Sequence, residues 1–525
     1  MEFARAVDQV ISQHLAELTK PGVLAIRPGY QAAGHWLTKK PAVVVTVDQK
    51  RDDLPPDQRL PETIGGYPVD VRQADPMQRL RSTNPALFVG VAAGARPETE
   101  RPVFPFERGP SGQLLAPLAD AAAAARRPTK PQIEYAGPAG VVLEAIEDSF
   151  TITCHASPDA GWPTLKPFLQ ATQGRLTVGM YDFTSAHVLD TVKESMPGKK
   201  LNLVLDHPAP NKTRDQTDEE TKNALDEALS GNLSFAWALE RADPKAAAWI
   251  FPNAYHIKVA VRDGKAFWLS SGNWNNSNQP DIDPIADPAG SAATARKSDR
   301  DWHVIVEHPK LASVFEAFLQ NDLKVASQHQ VDAAGLAAML AALGELAQPT
   351  MAVAVRAAKR YFPPHTVRAR MKIQPILTPD NYVDHILPLI TGAQRSFYMQ
   401  TQYIHPSNKE GDEGLAALIE AVAQKIKDGL DVRLIMSQYE TLDKLEVLQD
   451  AGVDLANVRI QANVHNKGMV VDSSIVALGS QNWSADGVIR NRDATLIIYN
   501  EDAAAYWEQI FLHDWTNMAA QQASD

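Results

Sequence analysis

Two stretches of the chain carry one pattern. Residues 255–274 read YHIKVAVRDGKAFWLSSGNW, and residues 464–483 read VHNKGMVVDSSIVALGSQNW. Each spaces a histidine, a lysine and an aspartate as H-x-K-x4-D: His256, Lys258 and Asp263, then His465, Lys467 and Asp472. Each continues into S-x-N-W, where Ser271 and Asn273 answer to Ser480 and Asn482. One copy alone would be an ordinary half-buried strand with a histidine in it. Two copies in one register, at 256 and 465, mean a duplicated unit, with a period of 209 residues that is far too long for a solenoid.

The duplication extends beyond the motifs. RLTVGMYDFTS (175–185) parallels RSFYMQTQYIH (395–405), and LNLVLDH (201–207) parallels DVRLIMS (431–437), each pair reading as buried strands. Downstream, RDWHVIVE (300–307) parallels RDATLIIY (492–499), and FEAFLQNDL (315–323) parallels WEQIFLHDW (507–515), a closing amphipathic helix. The order strand, helix, strand, motif hairpin, strand, helix predicts an α/β fold built from two tandem α/β/α units packed as a pseudo-two-fold pair. At 525 residues there is room for more. Residues 1–90, with strands expected at PAVVVTVDQK (41–50) and GYPVDVRQA (66–74), read as a small α/β accessory domain, and 91–149 as a Pro/Gly/Ala-rich connection. The first half then spans 150–325, a helical and basic connector 326–370, and the second half 371–525.

Composition narrows the setting. The single cysteine, Cys154, excludes an internal disulfide and any Cys-based zinc cage, and fits a reducing compartment. The N-terminal MEFARAVDQVISQHLAEL lacks the basic start and apolar run of a signal peptide, and no stretch approaches 18 consecutive apolar residues. A cytoplasmic location is the expectation. The net charge of −12 argues against broad attraction to nucleic acid or anionic lipid, while leaving room for a local basic cleft.

Strand alternation explains the motif spacing. His256 and Lys258 fall on one face, with Ile257, Val259 and Val261 on the other. A turn at Asp263-Gly264 brings the chain back to present Ser271 and Asn273. Neither copy encloses a substrate alone; two facing copies do. Two lysines and two asparagines, helped by the hydroxyls of Ser271 and Ser480, suit the non-bridging oxygens of a phosphoryl group. One histidine can attack phosphorus and the other can protonate the leaving alcohol, then activate water or a second alcohol. Asp263 and Asp472 complete the motif and stand among the candidate catalytic residues, but they fall on the opposite strand face or on the turn, so the stronger expectation is that they pin the hairpin. Asp301 and Asp493, each in an R-D pair, are better placed to hold a histidine's far nitrogen; the alternative is a surface Arg–Asp pair.

HIKVAVRD and HNKGMVVD, followed by SSGN and GSQN, resemble the HKD motifs of the phospholipase D superfamily, over about 375 residues from 150 to 525. The resemblance implies phosphodiester transfer through a phosphohistidine, with no cofactor and no metal, and points to His256 as nucleophile. It leaves the substrate open between a phospholipid head group and, as the alternative, DNA or RNA. Trp274 and Trp483 are expected to offer apolar surface at the cleft, suiting acyl chains or bases alike. The first half has Ser270 where the second has Gly479. His303 and His308 lie near carboxylates in DWHVIVEH, where a structural role is expected without a third convergent ligand. RAAKRYFPPHTVRARMK (356–372) concentrates Arg356, Lys359, Arg360, Arg368, Arg370 and Lys372, as a solvated connector or a lining for a polyanion. No protein partner of the N-terminal unit is legible.

Overall fold

The computed structural model describes residues 3–33, 36–51, 53–74, 78–79, 135–206, 215–238, 251, 254–327, 351, 353–406 and 411–520. Most of the expected 91–149 connection and of the Ala-rich part of the 326–370 connector lies outside these residues.

Each half is built as its hydrophobic pattern requires. Along Lys258–Arg262, Val259 and Val261 join a core with Leu311, Phe315 and Leu319 of the closing helix Pro309–Ser327. Ala260, pointing the other way, joins Leu165, Val188 and Leu225 of the helices Gly161–Gln170, Ala186–Ser195 and Asp218–Leu229. The sheet is thus covered on both faces, which is why its strands read as continuous apolar runs. The second half repeats the plan, with helices Tyr382–Thr391, Glu413–Lys427 and Leu442–Asp450 on one face and Glu501–Asn517 closing the other.

The two halves share one sheet rather than packing as separate ones. Strand Ile146–Ser157 of the first half runs antiparallel to His365–Thr378 of the second, pairing Cys154 with His365 and Ile146 with Ile373. From this joint, strand order is the same in both directions. It runs Asp301–Glu307, Ala266–Ser270, Lys258–Arg262, Arg175–Met180, Lys200–Leu205, Leu233–Trp237 on one side. On the other it runs Asp493–Tyr499, Ile475–Gly479, Lys467–Val471, Ser396–Thr401, Asp431–Ser437, Val458–Gln461. The second half therefore starts with the strand at His365, inside the expected connector, and the first begins at Ile146. The two closing helices meet in one core, where Phe315 and Leu319 lie with Trp507 and Phe511.

Register corrects one reading of the repeat. Met180 pairs with Lys258 and Thr401 with Lys467, so Arg175 corresponds to Ser396, one residue on from the alignment that matched the two arginines. Ladder partners, not residue identity, fix register.

The N-terminal unit packs helices Ala4–Gln13 and Leu15–Leu18 on a four-stranded sheet ordered Val23–Ala33, Trp36–Val47, Tyr67–Gln73, Thr63–Ile64. Its first strand escapes a sequence reading because Pro28-Gly29 looks like a turn. Gly29 is needed there: a Cβ would collide with the Glu446 carboxylate. The unit docks on helix Leu442–Asp450 of its own chain, where the Arg27 and Arg72 guanidinium groups converge on Asp443 and Glu446. Tyr30 Oη donates to Asp450 at 3.0 Å. Among the described residues no helix is long and apolar enough to cross a membrane.

Candidate active site

The two motif hairpins close with the same turn. Asp263 and Gly264 have φ of +56° and +65°, and Lys265 N–H donates to Arg262 O at 3.0 Å. Asp472 and Ser473 have φ of +52° and +58°, with Ser474 N–H donating to Val471 O at 3.1 Å. Two-residue hairpins of this twist need positive φ at both positions, which aspartate tolerates. The aspartate has a second task. Asp263 accepts from the amides of Gln173, Gly174 and Arg175 at 2.7–2.9 Å. Asp472 does the same for Gln394, Arg395 and Ser396. These contacts hold both carboxyls below the ordinary carboxylate value despite the opposing pull of burial. Both aspartates are structural pins at the far end of the hairpin from the histidines, and they leave the list of candidate catalytic groups.

At the other end the halves interlock. Arg300 N–H donates to Asn463 O at 2.7 Å and Arg300 O accepts from His465 N–H at 3.1 Å; Arg492 N–H donates to Ala254 O at 2.9 Å. Each R-D pair therefore lies beside the other half's motif, and its two side chains both cross the seam. His256 Nδ1 meets Asp493 Oδ1 at 2.8 Å, and His465 Nδ1 meets Asp301 Oδ1 at 3.1 Å. Arg300 pairs with Asp514 of the second half's closing helix at 2.9 Å, and Arg492 with Asp322 of the first half's at 3.2 Å. All four R-D residues are buried, which discards the surface-pair reading.

The serines serve the aspartates. Ser271 Oγ donates to Asp301 Oδ1 and Ser480 Oγ to Asp493 Oδ1, both at 2.6 Å. The expectation that these hydroxyls reach substrate is corrected: they orient the carboxylates that orient the imidazoles. Burial would push the Asp301 and Asp493 carboxyls up, but the facing His465 and His256 outweigh it and hold both below the ordinary carboxylate value. With Nδ1 turned to the aspartate, Nε2 is the ring nitrogen on the other side of each imidazole. Lys258 and Lys467 each donate to the backbone carbonyl of their own motif histidine at 2.6 Å, and Lys467 Nζ lies 3.2 Å from the His465 ring nitrogens. Lys258 Nζ also stands 5.1 Å from the centre of the Tyr181 ring, whose edge meets His256. Asn273 and Asn482 are buried, and the Oδ1 of each has no partner among the described residues. An unpartnered Oδ1 can accept a hydrogen bond from a hydroxyl or water, while Nδ2 is the atom of each amide that can donate to a phosphoryl oxygen.

Other expectations change or settle. Trp274 and Trp483 are core residues, 1 % exposed, so they offer no surface to substrate. Trp274 packs edge-on against Phe183, and Trp483 Nε1 donates to Tyr382 Oη at 3.0 Å. Ser270 is one part of a coordinated exchange. It meets His303 Nδ1 at 2.6 Å, while Ser157 Oγ meets Nε2 at 2.8 Å. In the second half Thr495 replaces His303, and a Cβ on Gly479 would collide with Thr495 Oγ1. His303 thus has the structural role expected of it, and burial pushes its imidazole down to about 4. The six cations of 356–372 are exposed. Arg370 pairs with Glu147, Lys372 lies over Tyr499 and Arg360 over Phe362, so most of this strand is a solvated face. Arg356 alone of the six lines a small surface cleft, with Arg296, Tyr361 and Asn463. That cleft does not include either histidine.

A family described as cardiolipin synthase, PLD-like domain, matches residues 386–515. Cardiolipin synthase 2 of Staphylococcus epidermidis is 24% identical over 168 residues, 30% of this chain and 33% of the relative. Phospholipase D of Rickettsia conorii is 28% identical over 156 residues, 29% of this chain and 72% of the relative. The chain thus spans about a third of the length of the cardiolipin synthases it matches. Among solved structures, the phosphatidylserine synthase of Haemophilus influenzae aligns over 70% of this chain and 87% of its own, at 12% identity and a TM-score of 0.45. Residues 386–515 thus match a PLD-like family, and H-x-K-x4-D and S-x-N repeated in both halves, each histidine backed by an aspartate, extend the likeness to the phospholipase D superfamily across both halves.

Proposed function

We propose that the chain cleaves or transfers a phosphodiester through a phosphohistidine, without a metal, and that its substrates are phospholipid head groups. The crossed pairs His256–Asp493 and His465–Asp301 carry this reading, because they aim two imidazoles from opposite halves into one seam. His256 Nε2 attacks phosphorus as the P–O bond to the leaving alcohol breaks, and His465 gives that oxygen its proton. His465 then takes a proton from water or an acceptor alcohol. The freed oxygen attacks phosphorus, the P–N bond breaks and His256 is restored. Lys258, Lys467, Asn273 and Asn482 supply the field that stabilises the phosphoryl oxygens. The lipid class is supported by the tandem motifs in one chain and by the relatives named cardiolipin synthase and phospholipase D.

Phosphatidylcholine, bis(p-nitrophenyl) phosphate and single- and double-stranded DNA, each incubated with the protein in millimolar EDTA, test it. Head-group release and nitrophenol production are expected, both lost in His256→Asn. Cleavage of DNA with lipid untouched would move the substrate class to nucleic acid. Activity wholly dependent on an added divalent ion would sink the mechanism.

A further inference from the structure

The two ends of the seam differ in what surrounds them. At one end Arg492 N–H donates to Ala254 O at 2.9 Å, and Ala254 is buried. The Arg492 guanidinium there faces the rings of Tyr135 and Phe251, whose centres stand 4.8 and 4.2 Å away. At the other end the equivalent bond runs from Arg300 N–H to Asn463 O at 2.7 Å. Here Arg300 and Asn463 line a small surface cleft with Gln461, Arg296, Arg356 and Tyr361. The wall of this cleft is fixed. Asn463, at φ +58°, donates from its backbone amide to Gln438 Oε1 at 2.7 Å and from Nδ2 to Arg296 O at 3.0 Å. Arg300 is neutralised by Asp159 and Asp514, both at 2.9 Å. Arg296 and Arg356, by contrast, are exposed and have no carboxylate partner among the described residues.

In a chain of net charge −12, two guanidiniums left without carboxylates at one cleft are a place for an anion. The planar fork of arginine suits the oxygens of a phosphate. The cleft also borders the chemistry. Asn463 lies two residues from His465, at most about 7 Å of chain, and His465 N–H donates to Arg300 O at 3.1 Å. We infer that the cleft receives the phosphate of a phosphorylated acceptor alcohol, whose free hydroxyl is thereby led to His465. This role rests on the proposed phosphohistidine reaction. There the acceptor oxygen forms the new P–O bond, the P–N bond to His256 breaks, and the hydroxyl proton passes to His465. Because the cleft adjoins His465 and the opposite end of the seam is covered, it recognises the alcohol and not the phosphoryl donor. A short alcohol phosphate carries this chemistry whether it arrives free in solution or as part of a lipid.

Transfer from bis(p-nitrophenyl) phosphate tests it, with glycerol, glycerol 3-phosphate or micellar lysophosphatidic acid as acceptor and the new p-nitrophenyl diester measured. The expected kcat/KM for glycerol 3-phosphate exceeds that for glycerol by about tenfold or more. In Arg296→Gln and in Arg356→Gln that advantage should fall about tenfold. Lysophosphatidic acid favoured over glycerol 3-phosphate, with the same arginine dependence, places the phosphate on a lipid; the reverse order makes the acceptor a soluble one. Equal use of glycerol and both phosphates, or an advantage unmoved by both substitutions, overturns the inference. So does arginine-dependent binding of single-stranded DNA with neither phosphate preferred, which would assign the cleft to a nucleic-acid backbone. Calorimetric binding of glycerol 3-phosphate to His256→Asn protein, with and without the arginine substitutions, reads the cleft without turnover. Binding that does not depend on the arginines overturns the inference whatever the enzyme does. Arginine-dependent binding, with no donor consumed by the unaltered protein, overturns the proposed reaction and leaves the phosphate site standing.

Discussion

Each histidine of the site is oriented by an aspartate that is in turn oriented by a serine. The chain of contacts Ser480–Asp493–His256 and its twin Ser271–Asp301–His465 fixes which imidazole nitrogen faces out. The two histidines then separate experimentally. His256→Asn removes the covalent route and should leave no phosphoenzyme. His465→Asn keeps the nucleophile, and p-nitrophenolate leaves with little need of a proton. That variant should give a burst of nitrophenol and stall as phosphohistidine, because nothing activates water. Acid-quench at short times and intact-mass measurement at alkaline pH would show the adduct. An adduct on His465 in His256→Asn protein would reverse the assignment.

At the scale of the element, the hairpin is a rigid arm with different ends. Its turn carries aspartates at positive φ whose carboxylates collect three backbone amides from the loop before the neighbouring strand. Asp263→Ala strands those amides and loses the residue best suited to the turn. It should lower stability by about 1–3 kcal/mol in chemical denaturation, while folded protein keeps the turnover of the parent. A drop in turnover of about 10²-fold or more with stability unchanged would return Asp263 to the catalytic groups.

At the scale of the whole molecule the two halves form one sheet with a pseudo-two-fold axis at its central joint, and the site exists only across that axis. Residues 141–325 alone would carry His256 without Asp493 and Asp301 without His465. The Arg300 guanidinium would keep Asp159 but lose Asp514. As a monodisperse monomer this fragment should be inactive on bis(p-nitrophenyl) phosphate. Appreciable turnover from it, with monomer shown by light scattering, would refute the shared site. The N-terminal unit belongs to this scale too. Its Arg27 and Arg72 meet a nearly buried Glu446, so it is anchored to the second half by charges costly to separate.

Sequence by itself determined the duplication, the α/β/α order, the hairpin turns and every polar residue of the motifs, because strand period and turn chemistry are local. The pinning role of Asp263 and Asp472 was legible for the same reason: alternation puts them off the histidine face. What it could not set was the partnership across the seam. His256 finds Asp493 237 residues away, and His465 finds Asp301 164 residues away. No local pattern says that each R-D pair serves the opposite half, since that follows from packing two copies about an axis. The tryptophans after Asn273 and Asn482 looked available to substrate in sequence, and only the tertiary core shows them buried. The one-residue register shift likewise appears only in three dimensions, because ladder partners set it. There packing about one axis decides which residues of the two copies meet, because contacts across the seam join positions that no local pattern links.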